Sequence, residues 1–219
     1  MHANMEFNKV TRGANRAVYD EQTVYDILDA GFMCHVAFVH QKMPMMIPIA
    51  FGRKEDVIYL HGSSKNFMLN VIIQAPSTCI CVTHLDGLVL ARTLFDTSAN
   101  YRSVVMHGKA ELITDEGERR EGLKIITDHI IKGRWDEVPL GTDQQLKATM
   151  VVKMRIERAS AKVRAGGPQG DEDMTNLTWS GHVPMAIKAM APIKDMKFNE
   201  HAEQTESIRW FFDKYNQDF

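Results

Sequence analysis

Residues 78–113, TCICVTHLDGLVLARTLFDTSANYRSVVMHGKAELI, decide the fold. They contain two long runs rich in β-branched residues, around residues 78–93 and 101–113, and this composition is typical of β-strands. The linker FDTSAN joins the two runs, and Asp86-Gly87 inside the first is a dipeptide typical of hairpin turns. The stretch therefore predicts an antiparallel meander with a turn at Asp86-Gly87.

Shorter strands are predicted on both sides of this stretch. Residues 33–40, 45–51 and 57–60 are apolar runs separated by the turn-like segments QKMP and GRKED. Residues 150–156 alternate apolar and charged side chains, which predicts a half-buried strand. Because strand follows strand with few long helices between them, the pattern favours an antiparallel barrel over a βαβ fold.

Three helices interrupt the strands. Asp20 caps a helix over EQTVYDILDA, which Gly31 ends, and a third helix over ERREGLKIITDHII ends at Lys132-Gly133. The second helix, SKNFMLNVIIQ at residues 64–74, follows two serines able to cap it and stops before Pro76. These helices are expected to pack against the sheet.

A change of composition marks the end of the strands. The Gly-, Asp- and Pro-rich segment AGGPQGDEDMTN follows Arg164, and WSGHVP and a polar, weakly periodic tail come after it. We therefore expect one domain over residues 16–185 with an appended arm, and a tail over residues 186–219.

Composition excludes several classes of protein. The 219 residues are 44% hydrophobic and 25% charged, which is average for a globular protein, and the net charge is −2. Such a balance favours neither nucleic acid nor a membrane surface as partner. The first 16 residues lack the apolar core of a signal peptide, and the three cysteines lie in apolar runs, so we expect a cytoplasmic protein with reduced thiols.

The segment LHGSSK, residues 60–65, carries the clearest chemical signal. A strand ends there, Gly62 permits a sharp turn and a helix is expected to begin. Peptide N–H groups, the hydroxyls of Ser63 and Ser64 and the ammonium group of Lys65 would converge on one point, which is the chemistry that a phosphate requires. An ordinary helix cap beside a surface lysine fits the same residues.

A second polar cluster, Asn100-Tyr101-Arg102-Ser103, opens a long strand. Alternation puts Tyr101 and Ser103 on one face and Arg102 with Val104 on the other. If Val104 faces the interior, Arg102 is an inward charge that needs an anion or a carboxylate partner. A strand-end arginine in water is the alternative.

Other motifs give no metal site. Cys79 and Cys81 share a strand face while His84 points elsewhere, so buried thiols are favoured over a zinc site. The single histidines His35, His61 and His107 could ligate haem or a metal, but hydrogen-bonded histidines are more common. Since nucleophile, Walker and dinucleotide motifs are all missing from the sequence, any chemistry is expected to belong to a bound cofactor.

A set of segments in order resembles a known family. The segments are RAVYD (16–20), CHVAF (34–38), PMMIPIAF (44–51), YLHGSSK (59–65), DGLVLAR (86–92), NYRSVVMHGKAEL (100–112), GRW (133–135), KVRAGGP (162–168) and WSGHVP (179–184). Together they are similar to FMN-binding split-barrel proteins related to pyridoxamine 5'-phosphate oxidase, in the branch of the nitroimidazole-resistance reductases. The resemblance implies a mainly β fold, a six-stranded antiparallel split β-barrel with helices, and a homodimer with two FMN sites at its interface.

The resemblance also implies roles for individual residues. The flavin ring would lie along the backbone of one strand, and the phosphate would bind the turn after the next strand. The residues concerned are Ile47, Pro48 and Ile49 for the ring, and His61, Gly62, Ser63, Ser64 and Lys65 for the phosphate. The Ser-Arg-Lys run of the oxidase lacks its arginine in this sequence, so Arg102 is a hypothetical second charge.

Further contacts implied by the resemblance lie downstream. Tyr101 and Ser103 would lie near the flavin or its ribityl chain. Trp179 would cover the ring from the partner subunit or anchor the dimer. The sequence has no equivalent of the oxidase's arginine-rich C-terminal substrate segment, so oxidation of pyridoxamine phosphate itself is not expected. His61 is the one catalytic candidate, and a structural role fits it equally.

Three functions follow from the resemblance. The first is an FMN-dependent oxidoreductase that reduces a small electrophile with a nicotinamide donor. The second is a flavin-binding or storage module without turnover. The third is a haem-binding relative, which an axial histidine and a Soret band would identify.

Overall fold

Antiparallel strands dominate the computed structural model, which describes residues 9–170, 175, 177–195, 197, 201 and 203–216. Within these residues the strands are β1 (Ala17–Val18), β2 (Met33–His40), β3 (Met43–Lys54), β4 (Val57–Ser63), β5 (Thr78–Leu90), β6 (Ser98–Gly108), β7 (Ala110–Leu112), β8 (Thr149–Arg155), β9 (Arg158–Arg164) and β10 (Gly181–Pro184). The helices are α1 (Glu21–Asp29), α2 (Phe67–Ile72), α3 (Glu116–Ile130), α4 (Arg134–Glu137), α5 (Asp143–Lys147) and α6 (Glu206–Lys214), with a 3-10 turn at Ala14–Arg16.

The predicted first helix illustrates how sequence sets local structure. The Asp20 carboxylate accepts a hydrogen bond from the Thr23 N–H at 2.8 Å, which caps α1. Val24, Ile27 and Leu28 form its buried face. The predicted cap and apolar face are confirmed.

The strands form one antiparallel sheet. Its order is β1-β9-β6-β5-β2-β3-β4-β8-β7, and β10 pairs with β5. The expected class, mainly antiparallel β with helices, is confirmed. The ladder of the described residues has ten strands and its path does not close, so the six-stranded split barrel stays a prediction.

Both halves of the folded sheet face one core. Val36, Ile80 and Met106 lie in one row across β2, β5 and β6, and Leu60 and Val152 pair across β4 and β8. All five side chains belong to the same buried cluster, together with the apolar face of α1. The core therefore lies between the two halves of the sheet.

Helix α3 covers the outside of one half. A Cβ at Gly52 of β3 would lie 2.6 Å from the Ile126 Cα, and one at Gly122 would lie 3.0 Å from Val151 Cγ1, so both glycines permit close packing. We call this outer surface of β3 (residues 51–54), β4 and β8 the covered face. We call the outer surface of β2, β5, β6, β9 and residues 43–50 of β3 the bare face.

One predicted turn and the extent of one predicted strand were wrong. Residues 85–87 form an irregularity within continuous β5 rather than a hairpin turn. A Cβ at Gly87 would lie 2.6 Å from the Val183 carbonyl oxygen, so this glycine is needed where β10 docks. The strand expected over 101–113 divides at Lys109, because β6 ends at Gly108, where a Cβ would lie 2.0 Å from the Arg155 carbonyl oxygen.

Sequence analysis also missed elements near the C-terminus. β9 and β10 were not predicted as strands, and α6 lies in the segment expected to be an irregular tail. Residues 1–8 of the predicted N-terminal segment, residues 171–174 and 176 of the predicted loop, and residues 196, 198–200, 202 and 217–219 of the tail lie outside the described residues.

Among the helices that the structure describes, none is long and apolar enough to cross a membrane.

Candidate functional site

Strand β3 changes partners halfway along, and this change opens a split in the sheet. Residues 43–50 pair with β2, whereas residues 51–54 pair with β4. Strand β4 continues past its last β3 partner, Leu60, to His61–Ser63, and these three residues pair with β8 alone. The edges of β3 before Phe51 and of β4 after Leu60 therefore face each other without a ladder between them.

The direction of the peptide groups on β3 follows from one hydrogen bond. The Phe51 N–H donates to the Phe32 carbonyl oxygen at 3.0 Å, so Phe51 points its peptide groups toward β2. Antiparallel pairs alternate, so Ile47 and Ile49 also point toward β2, whereas Met46 and Pro48 point toward the split. A proline without an N–H is compatible with such an unpaired edge.

The same alternation fixes the opposite edge. Phe51 points its peptide groups away from its partner Leu60, so the peptide groups of Leu60 point away from β3 as well. Since the direction alternates along β4, the peptide groups of His61 and Ser63 point toward the split. The next residue is consistent with this, since the Ser64 N–H donates to Ala148 on the β8 side at 2.9 Å. The N–H groups of His61 and Ser63 are thus backbone donors directed into the split.

The turn after β4 differs from its prediction. Helix α2 begins at Phe67, and its cap is Asn66, whose side chain accepts from the Leu69 N–H at 3.0 Å. The serines therefore do not cap the helix. The Lys65 N–H donates to Ser63 Oγ at 3.2 Å and the Asn66 N–H to the Ser63 carbonyl oxygen at 2.8 Å, so these peptide donors are already paired.

At the turn, the groups available to contact a ligand are the side chains of Ser64 and Lys65. Ser64 and Lys65 are exposed, and no hydrogen bond or ion pair of the described residues involves the Lys65 ammonium group. Gly62 is confined, because a Cβ there would lie 3.1 Å from Asn66 Nδ2 and 3.2 Å from Leu69 Cδ1. A hydroxyl and an ammonium group beside backbone donors suit an anionic or hydrogen-bonding ligand.

His61 is a half-buried polar side chain of this region. It lies opposite Val151 on the covered face, and its Nδ1 is buried without a hydrogen-bond partner in the described structure. Burial lowers the pKa of His61, so the imidazole is neutral at pH 7. A buried orphan nitrogen beside an open split is consistent with a site that a ligand completes.

The three residues predicted to line a flat ring divide between two surfaces. Ile47 and Ile49 pack on the core, whereas Pro48 is exposed on the bare face. Pro48 lies in a row with His35, Cys81 and Val105 across β2, β5 and β6. The structure thus brings the strand to the split, but turns two of the three side chains inward.

Arg102 has a carboxylate partner within the chain. Its Nε and Nη2 donate to Asp86 Oδ2 at 2.9 Å and Oδ1 at 2.8 Å, a bidentate pair that raises the pKa of Arg102. The requirement for a carboxylate or an anion is therefore met by Asp86. The structure does not bring Arg102 to the turn at residues 61–65, and nothing in it supports Arg102 as the second phosphate charge.

The remaining predicted residues lie farther along the sheet. Tyr101 pairs with Arg164 and Ser103 with Lys162 on β9. Trp179 precedes β10 and is 61% exposed. Its ring lies close to Gly181, where an added Cβ would be 2.9 Å from the Trp179 Cζ2 atom. The chain therefore leaves this tryptophan largely uncovered.

Cysteine and histidine pairs lie on the bare face without forming a metal centre. His35 pairs with Cys81, and Cys79 with His107. No group of three or more potential metal ligands occurs in the part of the chain that the structure describes.

The C-terminal segment forms a cavity that sequence analysis missed. Helix α6 folds back so that Phe211 lies near Phe32, with ring centroids 6.2 Å apart, and Lys214 donates to the Asp29 carbonyl oxygen at 3.3 Å. A cavity of about 250 Å³ lies between this segment and the sheet, lined in part by Met33 and His84. The amphipathic run ESIRWFFDK was the available signal.

Comparison with known proteins identifies the family. The sequence profile described as pyridoxamine 5'-phosphate oxidase matches residues 20–163. The chain belongs to this family. A search of the curated proteins found no match.

Two solved structures are similar over almost the whole chain. The flavocytochrome Anf3 from Azotobacter vinelandii is 35% identical, with a TM-score of 0.87, and the match covers 92% of this chain and 94% of that one. The FAD and heme binding protein from Mycobacterium smegmatis is 31% identical, with a TM-score of 0.85, covering 90% and 97%.

A third structure shares the fold over a shorter range. A protein from Bacteroides thetaiotaomicron, titled as a 5-nitroimidazole antibiotic resistance protein, is 24% identical, with a TM-score of 0.58, and the match covers 67% of this chain and 86% of that one. The predicted resemblance to the nitroimidazole-resistance branch is thereby confirmed at the level of fold.

Proposed function

We propose that this protein binds a flavin nucleotide in the split between β3 and β4 and acts as a flavin-dependent oxidoreductase. The observation that carries the proposal is the pair of unpaired strand edges, with the N–H groups of His61 and Ser63 directed between them. Two similar structures above 30% identity, a flavocytochrome and a FAD and heme binding protein, support it.

The residues present fit a flavin. The polar edge of a flavin ring accepts hydrogen bonds, which the backbone donors of β4 supply, and Pro48 offers an apolar surface on the facing strand. Ser64 and Lys65 supply a hydroxyl and a cation for a phosphate. These contacts suit FMN, which is the cofactor expected from the sequence. They suit the FMN half of FAD equally well.

A bound flavin supplies hydride and electron transfer. The residues of this chain would bind the ring through backbone groups and the phosphate through Lys65, and would keep the imidazole of His61 neutral. We propose a nicotinamide nucleotide as donor and a small electrophile as acceptor. A module that stores flavin without turnover is the alternative.

The first test is the absorption spectrum of the purified full chain, with identification of whatever heat denaturation releases. Flavin bands with FMN or FAD in the supernatant are expected, and anaerobic NADH or NADPH should bleach them. A colourless protein that binds neither added FMN nor added FAD would overturn the proposal. Bound flavin that no nicotinamide nucleotide reduces would instead support the storage module.

We also propose that a second copy of the chain covers the bare face. Met33, Met46, Leu85 and Val105 are exposed hydrophobic residues on this face, and such a patch indicates an interaction surface. Trp179 would be buried in the same association. Light scattering at micromolar concentration should give a mass near twice 24.9 kDa, and a monomer would contradict this proposal.

A specific residue also favours haem as a second cofactor. His35 is exposed in the middle of the bare face and has no hydrogen-bond partner among the described residues, so it is free to act as an axial ligand to iron. The two structures similar over almost the whole chain are a flavocytochrome and a FAD and heme binding protein. A Soret band that is lost in His35→Ala but kept in His40→Ala is expected, and its retention in His35→Ala would exclude this ligand.

A further inference from the structure

Arg164, at the end of β9, is a buried charge that no carboxylate of the described residues pairs with. The residue is 4% exposed. Its Nη1 donates to Asn100 Oδ1 at 2.6 Å and its Nη2 to the Gly167 carbonyl oxygen at 3.4 Å, while Nε is buried without a hydrogen-bond partner in the described part of the chain. Both acceptors are neutral, and a buried guanidinium is costly unless an opposite charge compensates it.

Other cations lie beside the same strand. Lys162 Nζ donates to the Arg12 carbonyl oxygen at 3.1 Å. A Cβ at Gly13 would lie 3.4 Å from Lys162 Nζ and 4.0 Å from Arg16 Cδ, so the N-terminal turn brings Arg16 next to Lys162. Among the described residues, no carboxylate pairs with Arg12, Arg16, Lys162 or Arg164, unlike Arg102 with Asp86.

Hydroxyl groups share this surface. Tyr101 lies directly opposite Arg164, Ser103 opposite Lys162 and Thr83 opposite Ser103, so all of them belong to the bare face. We call the set Arg16, Thr83, Tyr101, Ser103, Lys162 and Arg164 the basic corner. Among the described residues, no carboxylate pairs with these cations, and such a set of cations and hydroxyls matches phosphoryl oxygens.

The loop after Arg164 leaves space for a ligand. Gly166 has φ +94°, and a Cβ at Gly166 or Gly167 would meet no atom of the described residues within 4 Å. Asn100 Nδ2 donates to the Gly166 carbonyl oxygen at 3.0 Å and thereby fixes this loop against β6. The loop is therefore fixed beside the buried guanidinium.

The basic corner is distinct from the turn at Lys65. Four strand steps along the sheet separate β9 from β3, and β4, which carries the turn, is one step farther. The corner and the turn are therefore separate parts of the sheet. The corner would therefore bind another phosphoryl group.

We propose that the basic corner binds the diphosphate of a nucleotide. The inference rests on the proposed function, because it assigns the corner to the diphosphate either of FAD or of the nicotinamide nucleotide donor. The two sources share one chemistry, and the experiment separates them.

The test uses the full chain, with inorganic pyrophosphate, FMN, FAD and NADPH as probes. The variant is Arg16→Gln with Lys162→Gln, two partly exposed side chains whose replacement should leave the fold intact, as circular dichroism will check. The matched control is Lys109→Gln with Lys147→Gln, two exposed lysines outside the corner. Titration calorimetry should show pyrophosphate affinity at least tenfold weaker in the variant and unchanged in the control.

The other probes show which nucleotide supplies the diphosphate that binds the basic corner. A tenfold loss for FAD with FMN unchanged assigns the corner to FAD, whereas a tenfold higher KM for NADPH assigns it to the donor. Equal binding of pyrophosphate, FAD and NADPH by variant and wild type would overturn the inference. Since FMN binding is measured in parallel, that result would leave the proposed function standing, and loss of FMN binding by the wild type would defeat the proposed function separately.

Discussion

The two outer faces of the sheet differ in how far the chain itself covers them. On the covered face, Gly52 and Gly122 let α3 approach the strands, and Ile126 and Val151 are buried between them. On the bare face, Val105 and other apolar side chains remain exposed around His35. One face is completed within the chain, so the other is where cofactors and a second copy are expected.

The largest effect on stability is expected from adding a side chain at Gly52, where helix α3 packs closely against the covered face. In Gly52→Ala, the new Cβ would lie 2.6 Å from the Ile126 Cα and 2.8 Å from its nitrogen, and backbone atoms cannot move aside like a side chain. We expect a loss of about 3 kcal/mol in the free energy of unfolding, at the upper end for overpacking. Urea denaturation measures it.

The matched control for that substitution is Gly167→Ala. A Cβ at Gly167 would meet nothing within 4 Å, so its free energy of unfolding should change by under ~0.5 kcal/mol. Equal midpoints for the two variants would show that α3 does not depend on the close contact at Gly52.

The bare face is tested by placing charges on it. Met46→Glu with Val105→Glu puts two carboxylates on a surface that two copies would bury, and burying unpaired charges is strongly unfavourable. We expect the dimer dissociation constant to rise at least 100-fold, or about 2.7 kcal/mol, while the monomer core stays intact. Sedimentation velocity measures the constant.

The control for the charged face is Leu112→Glu, the same chemistry at an exposed residue of β7 on the other half of the sheet. It should leave the dissociation constant unchanged. If it disrupts association as strongly as the double variant, the bare face is not the dimer interface.

A smaller effect is expected at the edge of the split. Lys65→Met removes an exposed ammonium group proposed to contact the flavin phosphate, and a charged hydrogen bond contributes about 1.5–3 kcal/mol. FMN affinity should fall at least tenfold, and by less at high salt. Fluorescence quenching titration measures it, with Lys109→Met as the unaffected control, and an unchanged affinity would remove Lys65 from the site.

Much of the fold could be predicted because it depends on local pattern. The cap at Asp20 and the bounds of β2 agree with the sequence because hydrogen bonding and alternation are set within a few residues. The course of β5 at Gly87 could not be predicted, since the reason for that glycine is the distant strand β10. The family segments, by contrast, identified the family.

The candidate site was predictable in part. The turn at residues 61–65 was found by its residue types, but Asn66 rather than a serine caps the helix, and Asp86 pairs with Arg102 across an irregular stretch of strand. Arg164 was quoted only as part of a family segment. Its burial without a carboxylate partner among the described residues is a property of the three-dimensional structure, which no local pattern reports.

The smallest effect concerns the C-terminal segment, which covers one end of the bare face near Met33. The Ser207 hydroxyl and its N–H, the latter at 2.8 Å, donate to Glu137, and these bonds lower the pKa of Glu137 from 4.5 to about 2. A carboxyl whose folded pKa is lowered stabilises docking above its unfolded pKa and loses that effect as the pH falls. The docking of α6 should therefore weaken between about pH 4.5 and pH 2.

Hydrogen exchange of residues 206–214 measures this docking. Protection in the wild type should fall as the pH drops through that window, whereas Glu137→Gln should show reduced protection already at pH 6 and little further change. Glu203→Gln, an exposed carboxyl of the same tail, should behave like the wild type. Equal protection of all three proteins at every pH would mean that the aromatic contacts of Phe211, rather than Glu137, hold the tail over the bare face.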